Sequence, residues 1–329
     1  MTSGELTAAQ TRPSWDALAQ PAPSPWRGFV RSLFKRKLAM LGLCYILIFY
    51  VLGIFAPAIA PYSYAKTNLT TRAVLQGPSA KHLLGTDRLG RDLFSRSLYA
   101  ARTTFLITIA TVITGGLFLG VGLGLLAGYR RGIIDGLINR LGEILGSIPA
   151  LLLLILLAGT LRPRFDNWIR GAYGWPLIGS PLKEGIGDVF FVFLILSLIG
   201  WVGDERLIRA QVLAVRQSDY VQAAESMGAS TWRILWSHVF TNIRYLVVLN
   251  VTTSLGAIAL SEIALSFFGL GVREPFPSFG QMIYDGSGVR QVQAHPHILL
   301  VPGTIAVLLF VSYALLGDAL NDVLNPRTR

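Results

Sequence analysis

The sequence predicts an all-α integral membrane protein with six transmembrane helices. Three observations carry that reading. Charged residues make up 14% of the chain, against about 25% in a soluble domain. The apolar set is 52% before 34 glycines are added, so too little polar surface remains to cover a water-facing globule of 329 residues. The charges are also missing from six long windows rather than thinned evenly. The apolar content excludes a disordered chain, and a single cysteine, Cys44, excludes a disulfide scaffold.

The windows free of Asp, Glu, Lys, Arg and His are 38–60, 103–129, 144–161, 189–203, 245–261 and 298–317. A helix needs about 20 apolar residues to cross ~30 Å of hydrocarbon. The first, second and sixth windows reach that length and the third and fifth approach it. The fourth covers only ~22 Å at 1.5 Å per residue, so its end is expected in a water-filled cavity. The first window follows Lys35-Arg36-Lys37 and starts too far into the chain for a signal peptide. Residues 1–25 are rich in Pro, Ala, Ser and Thr and read as a disordered cytoplasmic tail. The division is therefore 1–30 tail, 31–102 first helix and external loop, and 103–329 a core of five helices.

With the N-terminus inside, inner segments hold 16 Lys and Arg and outer segments 13, a weak positive-inside bias. Arg27, Arg31, Lys35, Arg36 and Lys37 beside the first helix support that orientation, whereas Arg88, Arg91, Arg96 and Arg102 oppose it. The net charge of +11 does not indicate nucleic acid, because the basic residues form no single stripe. Anionic lipid head groups are the expected counter-charge.

The second window carries Gly116, Gly120, Gly124 and Gly128. Four-residue spacing puts all four on one helix face, where another helix, from the same bundle or a partner subunit, approaches closely. Residues 122–127 also match GxGxxA, but no strand precedes them.

No catalytic, cofactor-binding or metal residues are predicted. None of the five lysines lies in a P-loop, and no HExxH or GxSxG pattern occurs. His295 and His297 read as interfacial polar residues rather than a metal pair. Glu262 interrupts an otherwise charge-free run from 245 to 272. An intramembrane acid is a functional suspect by default, and the alternative is a helix cap at the membrane surface. One such acid is too few for a proton-coupled carrier.

The inner loop 204–244 reads as a helical elbow. Leu207, Val212 and Val215 sit near helical spacing, Asp219 is placed as the N-cap of a second helix through Ala223, Ala224 and Met227, Gly228 stops it, and Ser230 caps the next. Ile234, Leu235, Val239 and Phe240 fall on one side of that third stretch. Exposed Tyr220, Met227 and Trp232 would suit the groove of a docking partner.

Gln222-Ala223-Ala224-xxx-Gly228 resembles the EAA coupling motif of ABC importer permeases. Further blocks resemble the dipeptide/oligopeptide permease family, in the subunit type with an extended N-terminal region. They are 34–64 (FKRKLAMLGL…FAPAIAPYSY), 83–103 (LLGTDRLGRDLFSRSLYAART, with Gly85, Thr86, Asp87, Gly90, Arg91, Asp92, Ser95 and Arg96), and 264–283 (ALSFFGLGVREPFPSFGQMI) followed by LLGDALNDVLNPR at 315–327. Together they cover most of residues 30–329. The departures are Gln222 for the usual acid, Phe240-Thr241 for a terminal Leu-Pro, Phe279 for a Trp, and an apparent insertion at 162–188.

The resemblance implies a type I ABC importer permease fold with a cytoplasmic coupling helix, in a bacterial or archaeal cytoplasmic membrane, both termini inside and residues 61–102 outside. It implies a non-identical sister permease, two ATPase subunits that hold ATP and Mg, and an extracellular or lipid-anchored solute-binding protein that delivers di- or oligopeptides. The ATPases would grip the elbow through Asp219, Tyr220, Gln222, Ala223, Ala224, Met227, Gly228, Ala229, Arg233 and His238. Glu262, Ser266, Phe267, Gly269 and Gly271 would lie near the external gate. Nickel or other metal chelates, or glutathione, are the alternative cargoes. A stand-alone secondary carrier is a further reading, one that has no need of the elbow.

Overall fold

The computed structural model describes residues 33–70, 73–174 and 185–324. The tail at 1–30 lies outside the described residues. Helices dominate; the pairing outside them is one isolated bridge, Thr86 with Asp92, among the described residues. In chain order the helices are α1 (Lys37–Ile54), α2 (Ala56–Ile59), α3 (Leu93–Arg130), α4 (Ile133–Gly146), α5 (Ala150–Ala172), α6 (Gly187–Arg216), α7 (Asp219–Ser226), α8 (Thr231–Phe267), α9 (Phe279–Gly286), α10 (Val289–Ala294) and α11 (His297–Leu324).

Helices α1, α3, α6, α8 and α11 are each long and apolar enough to cross a bilayer. The sixth span counts α4 and α5 together, and the two are bent by 92°. The break falls at Ser147-Ile148-Pro149, inside the third charge-free window. Pro149 disfavours helical backbone at Ile148 before it and then caps α5.

The fourth window is not short in the structure. Helix α6 runs 30 residues, straight through Asp204, Glu205, Arg206 and Arg209. Asp204 and Glu205 are buried against neighbouring helices, so these charges do not mark the helix end. Of the stretch 204–244, residues 204–216 belong to α6 and 231–244 to α8, and only the part between is a connection. The stretch 162–188, expected as an insertion, is likewise partly helix, because α5 continues to Ala172. Residues 175–184 lie outside the described residues.

Glycine sets the closest approaches. A Cβ on Gly116 would meet Asp204 Oδ2 at 3.2 Å, on Gly120 Asp204 Cβ at 2.5 Å, on Gly124 Ile208 Cβ at 2.8 Å, and on Gly128 Val212 Cβ at 2.6 Å. The glycine face of α3 therefore packs on α6 of the same chain. The upper part of that face, Val112–Val121, is π-helical, which widens the turn where Gly115 lies against Ser197. Helix α1 seats itself the same way, Gly42 against the Ser312 carbonyl and Gly53 against the backbone of Ala101 and Arg102. Phe49, Leu93, Phe279, Ile298, Leu309 and Tyr313 fill the core that α1, α3, α9 and α11 share.

Gly120→Leu is expected to destabilise the purified protein strongly, since its first side-chain carbon already overlaps Asp204. Gly122→Leu, two residues along with no atom within 4 Å of its Cβ position, is expected to leave the apparent Tm near the parent. Equal Tm shifts in the two variants would contradict the packing.

Candidate functional site

The elbow is built from both sides. Helix α6 ends at Arg216, and Ser218 in extended backbone is the N-cap of α7. Asp219, expected as that cap, is instead the first helical residue, where its charge favours the helix N-terminus. Gly228 stops the helix at φ +79°. Its N–H donates to the Glu225 carbonyl (2.9 Å) and the Ala229 N–H to that of Ala224 (3.0 Å), the hydrogen-bond pair of a Schellman C-cap that glycine alone adopts without strain. Ser230 caps α8, its Oγ accepting from the Arg233 N–H.

One face of the elbow is anchored and the other is free. Val221 and Ala224 are buried with Ile208, Val212, Ile234, Leu235 and Val239. The Tyr129 hydroxyl donates to Glu225 (2.8 Å), and Arg216 donates to the Tyr129 carbonyl (2.8 Å) while lying over its ring. These contacts tie α7 to the end of α3 as well as to α6 and α8. Asp219 and Tyr220 are exposed at the helix start, Gln222 and Ala223 are exposed, and Ala229 is half-buried. Met227 is 82% and Trp232 71% exposed. Arg233 is exposed, and His238 lies near the Tyr220 ring at 6.3 Å. Trp232, Trp236 and Phe240 stack in a ladder along α8, with 5.8 and 4.8 Å between successive rings. Thr241 rather than proline follows Phe240, and the turn before it is π-helical.

The opposite end of the bundle carries a polar knot. Residues 85–96 fold on themselves around Asp87. Its Oδ1 accepts from the Leu89 and Arg91 N–H groups (2.8 and 2.9 Å), and its Oδ2 from Arg91 Nε (2.7 Å). Arg91 continues to Glu274 (2.7 Å), and buried Arg96 sits 3.5 Å from Asp87. Burial opposes the Arg91 charge, but Asp87 and Glu274 prevail and hold its pKa above the ordinary arginine value. Burial pushes the Asp285 carboxyl up, with Arg88 at 2.6 Å and Arg96 pulling the other way. Asp92 caps α3 through the Ser95 N–H and pairs with His82 (2.8 Å). Thr86 is fully buried, donating to the Ala73 carbonyl (2.6 Å). Gly90, at φ +68°, passes so close to the Asn68 carbonyl that a Cβ would lie 2.0 Å from it.

Glu262 is fully buried and does not cap a helix at the surface. Its Oε1 accepts from Ser266 (3.0 Å) and Ser278 (2.9 Å), and its Oε2 from Thr104 (2.9 Å). It thus joins α8 to α3 and to the start of α9. Ser266 also accepts from the Val272 N–H (3.2 Å), and Gly271 lies so close that its Cβ would meet Ser266 Oγ at 2.1 Å. Gly269 ends α8 at φ +75° with the same pair of carbonyl bonds as Gly228. Phe267 meets Tyr284 edge-on at 5.9 Å. The predicted gate residues are therefore together in space.

A model of the binding-protein-dependent transport system inner membrane component family matches residues 120–329, and one of the N-terminal TM domain of oligopeptide transport permease C matches 24–78. The chain belongs to the binding-protein-dependent transport permease family. It is 35% identical to the dipeptide transport system permease protein DppC of Alkalihalophilus pseudofirmus, over 94% of this chain and 92% of that one. It is 30% identical to the oligopeptide permease OppC of Bacillus subtilis (95% and 93% covered) and 30% to the glutathione transport system permease protein GsiD of Pectobacterium atrosepticum (93% and 92%).

Several residues at the end of the permease opposite the elbow had no individual signal in the sequence. Arg162 pairs with Asp166 (3.2 Å) and with Asp188, donates to the Gly271 carbonyl (3.1 Å), and lies over the Phe191 ring. Arg273 forks onto Asp166 (2.9 and 3.1 Å) and reaches Asp188 (3.2 Å). Adjacent residues 273 and 274 are thus held from opposite sides, by α5 and α6 and by the Asp87 knot. Thr104, Ser278 and Asn250, which donates to Asp204 (2.7 Å), were also invisible. A hydroxyl or amide becomes informative only once its partner is known.

Glu262→Ala is expected to cost about 3 kcal/mol, because three buried hydroxyls lose their acceptor, and to lower the apparent Tm. Glu262→Gln is expected to stay near the parent: its carbonyl still accepts from both serines, and the Thr104 hydroxyl turns to accept from the amide. A Gln variant as unstable as Ala would show that the charge, and not the acceptor, is required.

Proposed function

We propose that this permease is the pore-forming subunit of an ATP-driven importer of di- or oligopeptides. It acts without chemistry of its own. ATPase subunits bind ATP and Mg and close on the elbow, a non-identical sister permease completes the pore, and an external solute-binding protein delivers the cargo. The N- and C-termini and the elbow lie in the cytoplasm, and the Asp87 knot lies outside. The observation that carries this reading is the elbow itself: a short helix anchored by Val221, Ala224 and Tyr129 on one side, presenting Tyr220, Gln222, Ala223, Met227 and Trp232 on the other. Exposed aromatic and methionine side chains on a rigid support suit a protein groove. Because the elbow is fixed to α3, α6 and α8 together, a push on it moves three spans as one.

A groove of about 660 Å³ between α8 and α11, lined by Asn250, Thr253, Ser261, Tyr313, Asp318 and Asn321 among others, supports a translocation path on that side, closed externally by the 265–278 segment. A second reading of the cargo, glutathione, is favoured by the likeness to the glutathione permease.

Ala223→Trp is expected to weaken ATPase co-purification and to cut binding-protein-stimulated ATP hydrolysis by tenfold or more, the equivalent of about 1.4 kcal/mol. Membrane insertion and Tm stay unchanged, because Ala223 is exposed. Normal stimulated hydrolysis in the reconstituted complex would refute the coupling role. Binding of dipeptides, oligopeptides and glutathione to the cognate binding protein decides the cargo.

A further inference from the structure

Helix α4 carries no function in the reading above, yet its composition and position are specific. It follows α3 after Arg131 and Gly132, both at positive φ (24° and 84°), and turns through 92° into α5. Its level in the membrane is set by its chain neighbours. The charge-free stretch of α3 ends at Arg130, just before α4, and α5 begins at Ala150, just after it. Helix α4 packs on α6 near that level, where Gly128 of α3 faces the Arg209 carbonyl: Asp135 accepts from Arg209 (2.6 and 2.8 Å), and the Gly142 carbonyl accepts from Arg206 (3.0 Å).

At about 100° per residue the helix divides into three faces. Asp135, Ile138, Gly142 and Leu145 lie against α6. Next to them runs an apolar stripe, Ile133, Leu137, Leu141 and Ile144, of which Ile133 is 90% and Leu137 61% exposed. Asn139, Arg140 and Glu143 form the third face. A helix pressed sideways on the bundle, with one flank apolar and the other polar, matches a helix lying in a bilayer surface. The acids nearby are engaged, Asp135 by Arg209 and Glu143 by Arg140 (3.3 Å), whereas Arg130 and Arg131 stand exposed at its start.

We propose that α4 is an interfacial helix that lies in the head-group layer on the elbow side, its apolar stripe resting on the acyl chains and Arg130 and Arg131 taking anionic phospholipid head groups. Through Asp135–Arg209 it links that lipid surface to the helix that carries the elbow. The inference rests on the bundle spanning a bilayer and is independent of the ATPase reading, so either can fail alone.

The test uses the assembled transporter in lipid nanodiscs, on a Cys44→Ser background because Cys44 is exposed. Spin labels are placed by Leu137→Cys, Leu141→Cys, Ile144→Cys and Glu143→Cys, and collisions with oxygen and with a water-soluble nickel chelate are compared. Oxygen should dominate at 137, 141 and 144, and the ratio should reverse at 143. Adding phosphatidylglycerol to phosphatidylcholine should raise the oxygen-to-nickel ratio at 137, and Arg130→Gln with Arg131→Gln should abolish that shift. Protection from both reagents along the stripe would mean that a protein subunit covers it, and nickel dominance would mean water; each overturns the proposal. A phosphatidylglycerol response absent in the parent, or equal in parent and variant, overturns the anionic assignment.

Discussion

The close approach of α3 and α6 is the constraint on which the rest depends. Four glycines at four-residue spacing remove the side chains that would hold the helices apart, and Asp204, Ile208 and Val212 fill the space. That seating decides where α6 can bury two acidic residues within a long helix. Asp204 keeps a hydrogen bond to Asn250 of α8, which draws a third span to the same line. Both ends of the molecule hang on this pair. Helix α3 begins in the Asp87 knot and ends beside Tyr129, which grips the elbow, while α6 begins near Asp188 and ends at Arg216 in the same grip. A displacement at one end therefore has a stiff, continuous route to the other.

Helix α8 repeats one structural device around itself. The elbow helix before it closes on Gly228, and α8 closes on Gly269, each glycine at positive φ with the same two carbonyl bonds. Beyond Gly269 the chain is held by three different attachments within six residues: Ser278 to Glu262, Glu274 to Arg91, and Arg273 to Asp166 and Asp188. Ion pairs of this kind contribute little net stability when exposed, and removing one partner of a buried pair is costly. Their combined effect is positional: the segment after Gly269 has one arrangement in which all three are satisfied.

Much of this was legible in the chain. Charge-free windows located the spans, because a charge in hydrocarbon is costly. Gly228 and Ser230 marked the turn and the cap, because helix ends have local chemical requirements. The errors have physical causes. The fourth span looked short because Asp204 and Glu205 are buried on neighbours that no local pattern reveals. The bend of the third span left no trace in composition, because the Ile148-Pro149 break sits inside an apolar run, where composition does not register an angle. Asp219 and Ser218 are both good caps, and the backbone chose the earlier.

The sequence by itself determined the class of molecule, the approximate spans, the helical elbow and the glycine face, since each follows from composition or spacing within one segment. Only the tertiary structure decided that the glycine face meets α6 of the same chain, that Glu262 is a buried three-hydroxyl acceptor, and that α4 lies across the bundle. These depend on partners about 60 to 160 residues away, such as Gly142 with Arg206, Gly120 with Asp204 and Thr104 with Glu262. A local pattern states what a residue needs, and only the packed chain states what supplies it.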